Sequence, residues 1–177
     1  MGRTYRVVQW ATGNVGLEAL RAIIDHPDLE LAGVLVYSED KSGVDAGALC
    51  DRPTTGIRTT RDPQAIYALA ADCVWYMPRR ADLGEVCRLL ESGKNVVATP
   101  FLFYPPHLPP ADLARLEAAC RAGRASVHGT GINPGNPLKS FDRRIEDAPA
   151  RPLLSEAMGF LWEGECDAEP ALDCCLR

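Results

Sequence analysis

Most features that would place this chain outside the ordinary folded domains are missing from it. No apolar run approaches the 18 or more residues that a membrane helix needs. There is no basic excess: 19 Lys and Arg face 24 Asp and Glu, for a net charge of −5. That leaves no electrostatic footprint for nucleic acid. The first residues, Met1-Gly-Arg-Thr-Tyr-Arg6, run straight into a strand-like segment. No signal peptide fits there, and a cytoplasmic location is expected. No internal repeat and no low-complexity tract is present. Histidine is scarce, at three residues.

Cysteine is not scarce, but its arrangement is uninformative. Among seven cysteines there is no C-x-x-C, and no histidine follows His128. Cys50, Cys73, Cys87 and Cys120 stand singly among apolar neighbours, where a free thiol packs like a small hydrophobe. Without a secretory signal a disulfide framework is not expected. Cys166 and the pair Cys174-Cys175 have no ligands at zinc spacing, so no metal site is expected.

What is present is a hydrophobic fraction of 46 %, which excludes disorder as the main state. A length of 177 residues suffices for one full domain, or for a domain plus a stub. Composition divides the chain near Gly135. Residues 1–135 carry 14 Lys/Arg and 15 Asp/Glu; residues 136–177 carry 5 and 9, with six acids and no base from Glu156 to Asp173.

Upstream of that boundary the hydrophobic pattern is regular. Tyr5–Trp10 reads as a strand. Val15, Ala19, Ala22 and Ile23 share one face of a helix over 14–25, which His26-Pro27 ends. Leu29–Tyr37 is a nearly continuous apolar strand of the kind buried on both faces in a parallel sheet. Residues 38–56 are loop-like, followed by a short strand near Ile57–Thr60 and a helix from Pro63 to about Ala70. Asp72–Met77, Asn95–Thr99 and Ala125–His128 read as further strands. Helices over 82–92, closed by Gly93, and over 110–122 separate them. Six strands alternating with helices predict an α/β fold, a doubly wound parallel sheet of dinucleotide-binding size over 1–135. Residues 136–177 read as a short irregular remainder.

Ala11-Thr12-Gly13-Asn14-Val15-Gly16 has the form A-x-G-x-x-G, directly after a predicted strand and opening a predicted helix. In that setting Gly13 lets the backbone approach a pyrophosphate, and Gly16 lets the helix pack closely on the strand. The helix N-terminus offers free amides and partial positive charge to phosphate. Ala11 stands where the usual first glycine would be, which is tolerable if the turn needs no positive φ there. The alternative is a tight turn without a ligand.

The end of the second strand bears on which dinucleotide is bound. An acidic residue about 20 positions past the fingerprint would bond a ribose 2′-OH and favour NAD. Ser38 takes that position, with Lys41 close by, and a neutral hydroxyl beside a cation admits the 2′-phosphate of NADP. Glu39 or Asp40 would serve NAD instead if the strand ended one residue later. The reading leans to NADP and keeps NAD open.

Four segments carry a family resemblance: Val7–Gly16, Asp72–Arg79, Cys87–Val97 and Gly129–Gly135. Together they resemble the N-terminal Rossmann domain of the dihydrodipicolinate-reductase-like NAD(P)-dependent dehydrogenases, and among these the 2,4-diaminopentanoate dehydrogenase-like members. The resemblance implies an oxidoreductase that moves a hydride between nicotinamide and an amine, imine or related small substrate. It implies that the Thr12–Gly16 turn holds the pyrophosphate. Met77, Pro78 and Thr99 would line the path to the nicotinamide, and Asn133 would hold substrate or the nicotinamide amide, unless Asn133-Pro134-Gly135 is merely a turn. Family members continue into a long second domain that supplies substrate and homo-oligomer contacts. Here about 40 residues follow Gly135, in which Ser155–Phe160 faintly echoes a later family segment. A catalytically incomplete NAD(P)-binding module is therefore the alternative.

The remaining candidates divide two ways. His128, at the end of the last strand, is a proton donor or acceptor, or else a packed side chain. Arg79 and Arg80 steer a phosphate or carboxylate, or else form a solvated pair at a helix start. Trp10 and Trp75 read as core.

Overall fold

The computed structural model describes residues 3–100 and 108–130. Within them, five strands form one parallel sheet: β1 (Tyr5–Trp10), β2 (Leu29–Leu35), β3 (Cys73–Tyr76), β4 (Asn95–Ala98) and β5 (Val127–Gly129), in the order β2-β1-β3-β4-β5. The five main helices are α1 (Asn14–Asp25), α2 (Ala46–Leu49), α3 (Pro63–Ala68), α4 (Leu83–Glu91) and α5 (Pro110–Gly123). The chain leaves β1 toward β2 on one side and returns to β3 on the other. The order of strands therefore reverses at β1, and the carboxyl ends of β1 and its neighbours border a crevice of the type in which open α/β sheets bind ligands.

Because strand side chains alternate, one sheet feeds two cores. Val7 and Trp75 point to the face covered by α1 and α2, where Ala19, Leu20, Ile23 and Cys50 meet them. Val8, Trp10, Val74 and Tyr76 point to the opposite face, against α3, α4 and α5. Helices on both faces explain why the strands read as unbroken apolar runs. Asp82 caps α4 by accepting from the amides of Gly84 and Glu85. Lys94 is buried at the far, amino-terminal end of the sheet. Its ammonium donates to the Tyr67 carbonyl at 2.8 Å and the Ser92 hydroxyl at 2.9 Å, tying the end of α3 to the end of α4.

The sheet has five strands where the pattern predicts six. Ile57–Thr60 contributes only single bridges, Leu35 with Thr60 and Asp45 with Arg58. Thr60 lies along the outer edge of β2, and the amide of Val36 bonds to Thr60 instead of to β1. This diversion also ends β2 at Leu35, two residues before the predicted end. The loop-like stretch after it holds a 3-10 turn, Glu39–Lys41, and the short α2. One carboxylate organises this region. Asp45 accepts from the amides of Gly47, Thr55 and Gly56, and these bonds hold its carboxyl below the usual aspartate range. No helix among the described residues is long and apolar enough to cross a membrane.

Candidate functional site

The turn after β1 has the geometry of an anion cradle. Leu17 makes the first intrahelical bond of α1, to the Gly13 carbonyl at 2.8 Å. The amides of Asn14, Val15 and Gly16 therefore precede the helical ladder. Gly13 stands at the N-cap with no side-chain cap, and the first turn of α1 holds no acidic residue. Partial positive charge at this end is thus not neutralised by a side chain of that turn. A Cβ added to Gly13 would meet nothing within 4 Å among the described residues, whereas one added to Gly16 would lie 2.2 Å from the Ala11 carbonyl oxygen. Gly16 is needed for the fold, and the space over Gly13 is left open. Both observations fit a dinucleotide pyrophosphate.

Ala11 corrects an expectation. The turn does demand a positive φ there, and Ala11 adopts φ 74. Both of its backbone groups are held: its amide donates to the Leu35 carbonyl at 2.9 Å, and its carbonyl accepts from the Gln9 side chain at 2.8 Å. The surroundings thus impose a conformation that costs an L-residue roughly 1–2 kcal/mol. Ala11→Gly removes that strain but adds chain entropy to the unfolded state. The expected net gain is about 0.5–1 kcal/mol, read as a higher urea midpoint at an unchanged slope. A lower midpoint would contradict the strain.

Gln9 went unremarked in the sequence, although a glutamine inside a strand of apolar residues was the signal. It is fully buried on the central strand. Its amide nitrogen holds the Ala11 carbonyl, and its carbonyl oxygen has no partner among the described residues.

Lys41 reaches the same turn from the 3-10 segment. Its ammonium donates to the Thr12 carbonyl at 2.9 Å, so the cation lies between the exit of β2 and the phosphate cradle. Ser38 precedes it, with its hydroxyl donating to the Asp40 carboxylate. The serine and lysine singled out from the sequence therefore both stand at the exit of β2, together with a carboxylate.

Beside them opens a cavity of about 590 Å³, walled by Tyr37 after β2 and by Pro78, Arg79, Arg80 and Glu85 after β3. Two of its wall residues, Tyr37 and Glu85, belong to a hydrogen-bond network that the sequence did not disclose. The Trp10 indole donates to the Tyr37 hydroxyl at 2.9 Å, and the amide of Asp82 donates to the Tyr76 hydroxyl at 3.0 Å. Both phenols donate to one oxygen of Glu85, at 3.3 Å from Tyr37 and 2.7 Å from Tyr76. Burial pushes the Tyr37 phenol up to about 12 and raises that of Tyr76, so both remain protonated donors at neutral pH. Trp10, read as core, is core with a polar edge.

The other predicted site residues are spread along the carboxyl edge. Met77 is buried in the α1-side cluster, with its amide on the Trp10 carbonyl at 3.0 Å. Pro78 is buried at the cavity, and Thr99 is half-buried beyond β4, its amide on the Tyr76 carbonyl. His128 is buried in β5, and desolvation lowers its pKa from 6.5, which keeps it neutral at pH 7. Asn133 and the whole remainder 136–177 lie outside the described residues. Among the described residues no group of three or more His, Cys, Asp or Glu is placed to hold a metal ion.

No family model matches the chain. Among solved structures it is similar to an amine dehydrogenase from Mycobacterium smegmatis, with a TM-score of 0.66 and 20 % identity over 71 % of this chain and 39 % of that one. It is also similar to a biliverdin reductase from Synechocystis solved with biliverdin and NADP+, with a TM-score of 0.53 and 19 % identity over 71 % of this chain and 37 % of that one. The fold is Rossmann-like. In sequence, the chain is 37 % identical over 137 residues to an amine dehydrogenase of Streptomyces virginiae. That match takes in 72 % of this chain, which spans 38 % of the length of the curated relative.

Proposed function

We propose that this chain binds NAD(P) and serves an oxidoreductase that transfers hydride between nicotinamide and an amine, imine or related small substrate. The observation that carries the reading is the cradle after β1, with its three unladdered amides and the open space over Gly13. The similarity to two proteins named amine dehydrogenase supports the substrate class.

The roles of the residues follow from their positions. The amides of Asn14, Val15 and Gly16 would hold the pyrophosphate. Ala11 and Thr12 shape the approach, with Thr12 buried beneath the turn. The cavity walled by Tyr37, Pro78 and Glu85 would receive the adenosine end, and the opposite end would extend from Pro78 over the exits of β3 and β4, past Met77 and Thr99. Asn133 remains a proposal for substrate or nicotinamide contact. When bound, the nicotinamide supplies the hydride chemistry; the protein's part is to orient it and exclude water.

NADP is the favoured form of the cofactor in this reading, and Lys41 supports it. Its ammonium is anchored at the cradle by the Thr12 carbonyl, on the β2 side where a ribose 2′ substituent would lie. Asp40 opposes it, because its carboxylate shares the Ser38 hydroxyl. Fluorescence titration with NADPH and NADH is the direct test. NADPH should bind the more tightly. Lys41→Ala should weaken NADPH by about tenfold, the magnitude of one charge-assisted phosphate contact, and leave NADH nearly unchanged. Asp40→Asn should widen the preference for NADPH. Tighter binding of NADH by the unmodified chain would reverse the assignment. Turnover is then tried with amines and amino acids: activity supports the oxidoreductase, binding without turnover makes the chain a cofactor-binding module, and failure to bind either dinucleotide rejects both.

A further inference from the structure

Glu85 is the one carboxylate in the wall of the 590 Å³ cavity whose position is fixed by other side chains. Asp82, also in the wall, spends its carboxylate on capping α4, where it accepts from the amides of Gly84 and Glu85. Glu85 does not cap. One of its oxygens takes both phenol donors, and each phenol is in turn fixed by a donor of its own, Trp10 for Tyr37 and the Asp82 amide for Tyr76. The two phenol protons both point toward Glu85. Its second oxygen has no hydrogen-bond partner among the described residues. The cavity therefore presents a fixed acceptor edge beside the exposed ring of Tyr37, which is 52 % accessible and suited to stack against a planar base.

We propose that Glu85 is a specificity-determining residue that selects a 6-aminopurine over a 6-oxopurine at the adenosine end of the cofactor. This rests on the dinucleotide reading given above. Adenine carries an exocyclic amine, a donor that completes the vacant oxygen of Glu85. Hypoxanthine puts an acceptor where that amine was and moves its only edge donor to N1, one ring atom away. An acceptor held against a half-buried, fixed acceptor leaves both unpaired, and sites built on such hydrogen bonds discriminate against the mismatched analogue. The network supplies the rigidity: neither phenol can turn to offer its proton elsewhere without losing Glu85, so the edge cannot convert itself into a donor.

The test is equilibrium binding of NADPH and NADH, each against its hypoxanthine analogue, to the full chain and to Glu85→Gln. The unmodified chain should bind the adenine form of each pair at least tenfold more tightly. Glu85→Gln keeps an oxygen for the phenols and turns an amide donor toward the cavity, so the ratio should fall to near one or invert. A merely structural role would weaken both members of a pair alike and leave their ratio where it was. Glu85→Ala is the second variant: it removes the edge altogether and should level the two bases. Equal binding of both bases by the unmodified chain, with dinucleotide affinity intact, overturns the proposal and leaves the dinucleotide reading standing. So does a ratio that survives in both variants. Failure of the unmodified chain to bind any of the four dinucleotides overturns the reading beneath it.

Discussion

Gly13→Ala should leave the fold intact and abolish most dinucleotide binding, whereas Gly16→Ala should damage the fold itself. The difference lies in what each new methyl would meet. At Gly13 the backbone is extended, φ −74 and ψ −170, a conformation open to alanine, and no atom of the described residues lies within 4 Å of the added carbon. Only a ligand seated on the cradle would be displaced. At Gly16 the added carbon lies 2.2 Å from the Ala11 oxygen, 3.0 Å from its carbon and 3.1 Å from the Gln9 amide nitrogen. The first two are backbone atoms of a residue already held at φ 74 by bonds to Leu35 and Gln9. They have little freedom to retreat, so α1 must move off the sheet. Overpacking of this kind costs about 3 kcal/mol, the upper end of its usual range. Thermal unfolding of the two variants together with NADPH titration separates the effects. Gly13→Ala should keep the parent melting temperature within a degree or two and lose tenfold or more in affinity, while Gly16→Ala should lose both. A Gly13→Ala variant that bound dinucleotide like the parent would remove the pyrophosphate from the turn.

This pair also marks how far the sequence could be read. The spacing of apolar residues places β1 and α1 to the residue, because both are regular and local. The A-x-G-x-x-G form locates the cradle for the same reason. Ala11 is different: nothing in an alanine announces a left-handed backbone, and the demand comes from Leu35 and Gln9, which grip it from two directions. The early end of β2 is equally nonlocal. Val36 and Tyr37 are good strand residues, but Thr60 takes the Val36 amide, and Tyr37 is released to face the cavity. The helix α2 escapes notice because four residues have almost no periodicity, and because Asp45 assembles it with bonds to Thr55 and Gly56, ten and eleven positions away. The wall of the cavity is hidden by the same logic. Glu85 looks like any acid in the first turn of a helix until the sheet brings Tyr37, Tyr76 and Trp10 around it from three separate strands or strand ends.

Raising the pH from 8 to 11 should unfold this protein progressively, and Cys73 should carry the largest share. Its thiol lies in β3, 1 % accessible, and desolvation pushes its pKa from 9.0 to about 12. Between those values the unfolded chain has released the proton and the folded chain still holds it. The unfolded state then binds fewer protons, so stability falls as pH rises. The contribution is complete below pH 9 and is lost on the way to pH 12. At pH 11, two units above the unfolded value, the loss is about 3 kcal/mol, a large fraction of the 5–15 kcal/mol typical of a domain. Cys120, pushed up to about 11, and Tyr37, pushed up to about 12, act in the same direction. So do Tyr76, Cys50 and Cys87, each raised by burial. Lys94 acts against them. Burial lowers its pKa from 10.5, so the unfolded chain holds more protons there and stability rises with pH over that interval. One buried ammonium with two hydrogen bonds opposes several thiols and phenols, and the net slope should be downward. Urea midpoints at pH 8, 9, 10 and 11 under reducing conditions measure it. Cys73→Ala should begin less stable at pH 8, because a buried sulfur is replaced by a small void, and should then lose stability less steeply than the parent. Its curve should approach or cross the parent's near pH 11. Parallel curves for the two proteins would mean that Cys73 deprotonates in the folded state as readily as in the unfolded one, which its burial between α1 and the sheet does not allow.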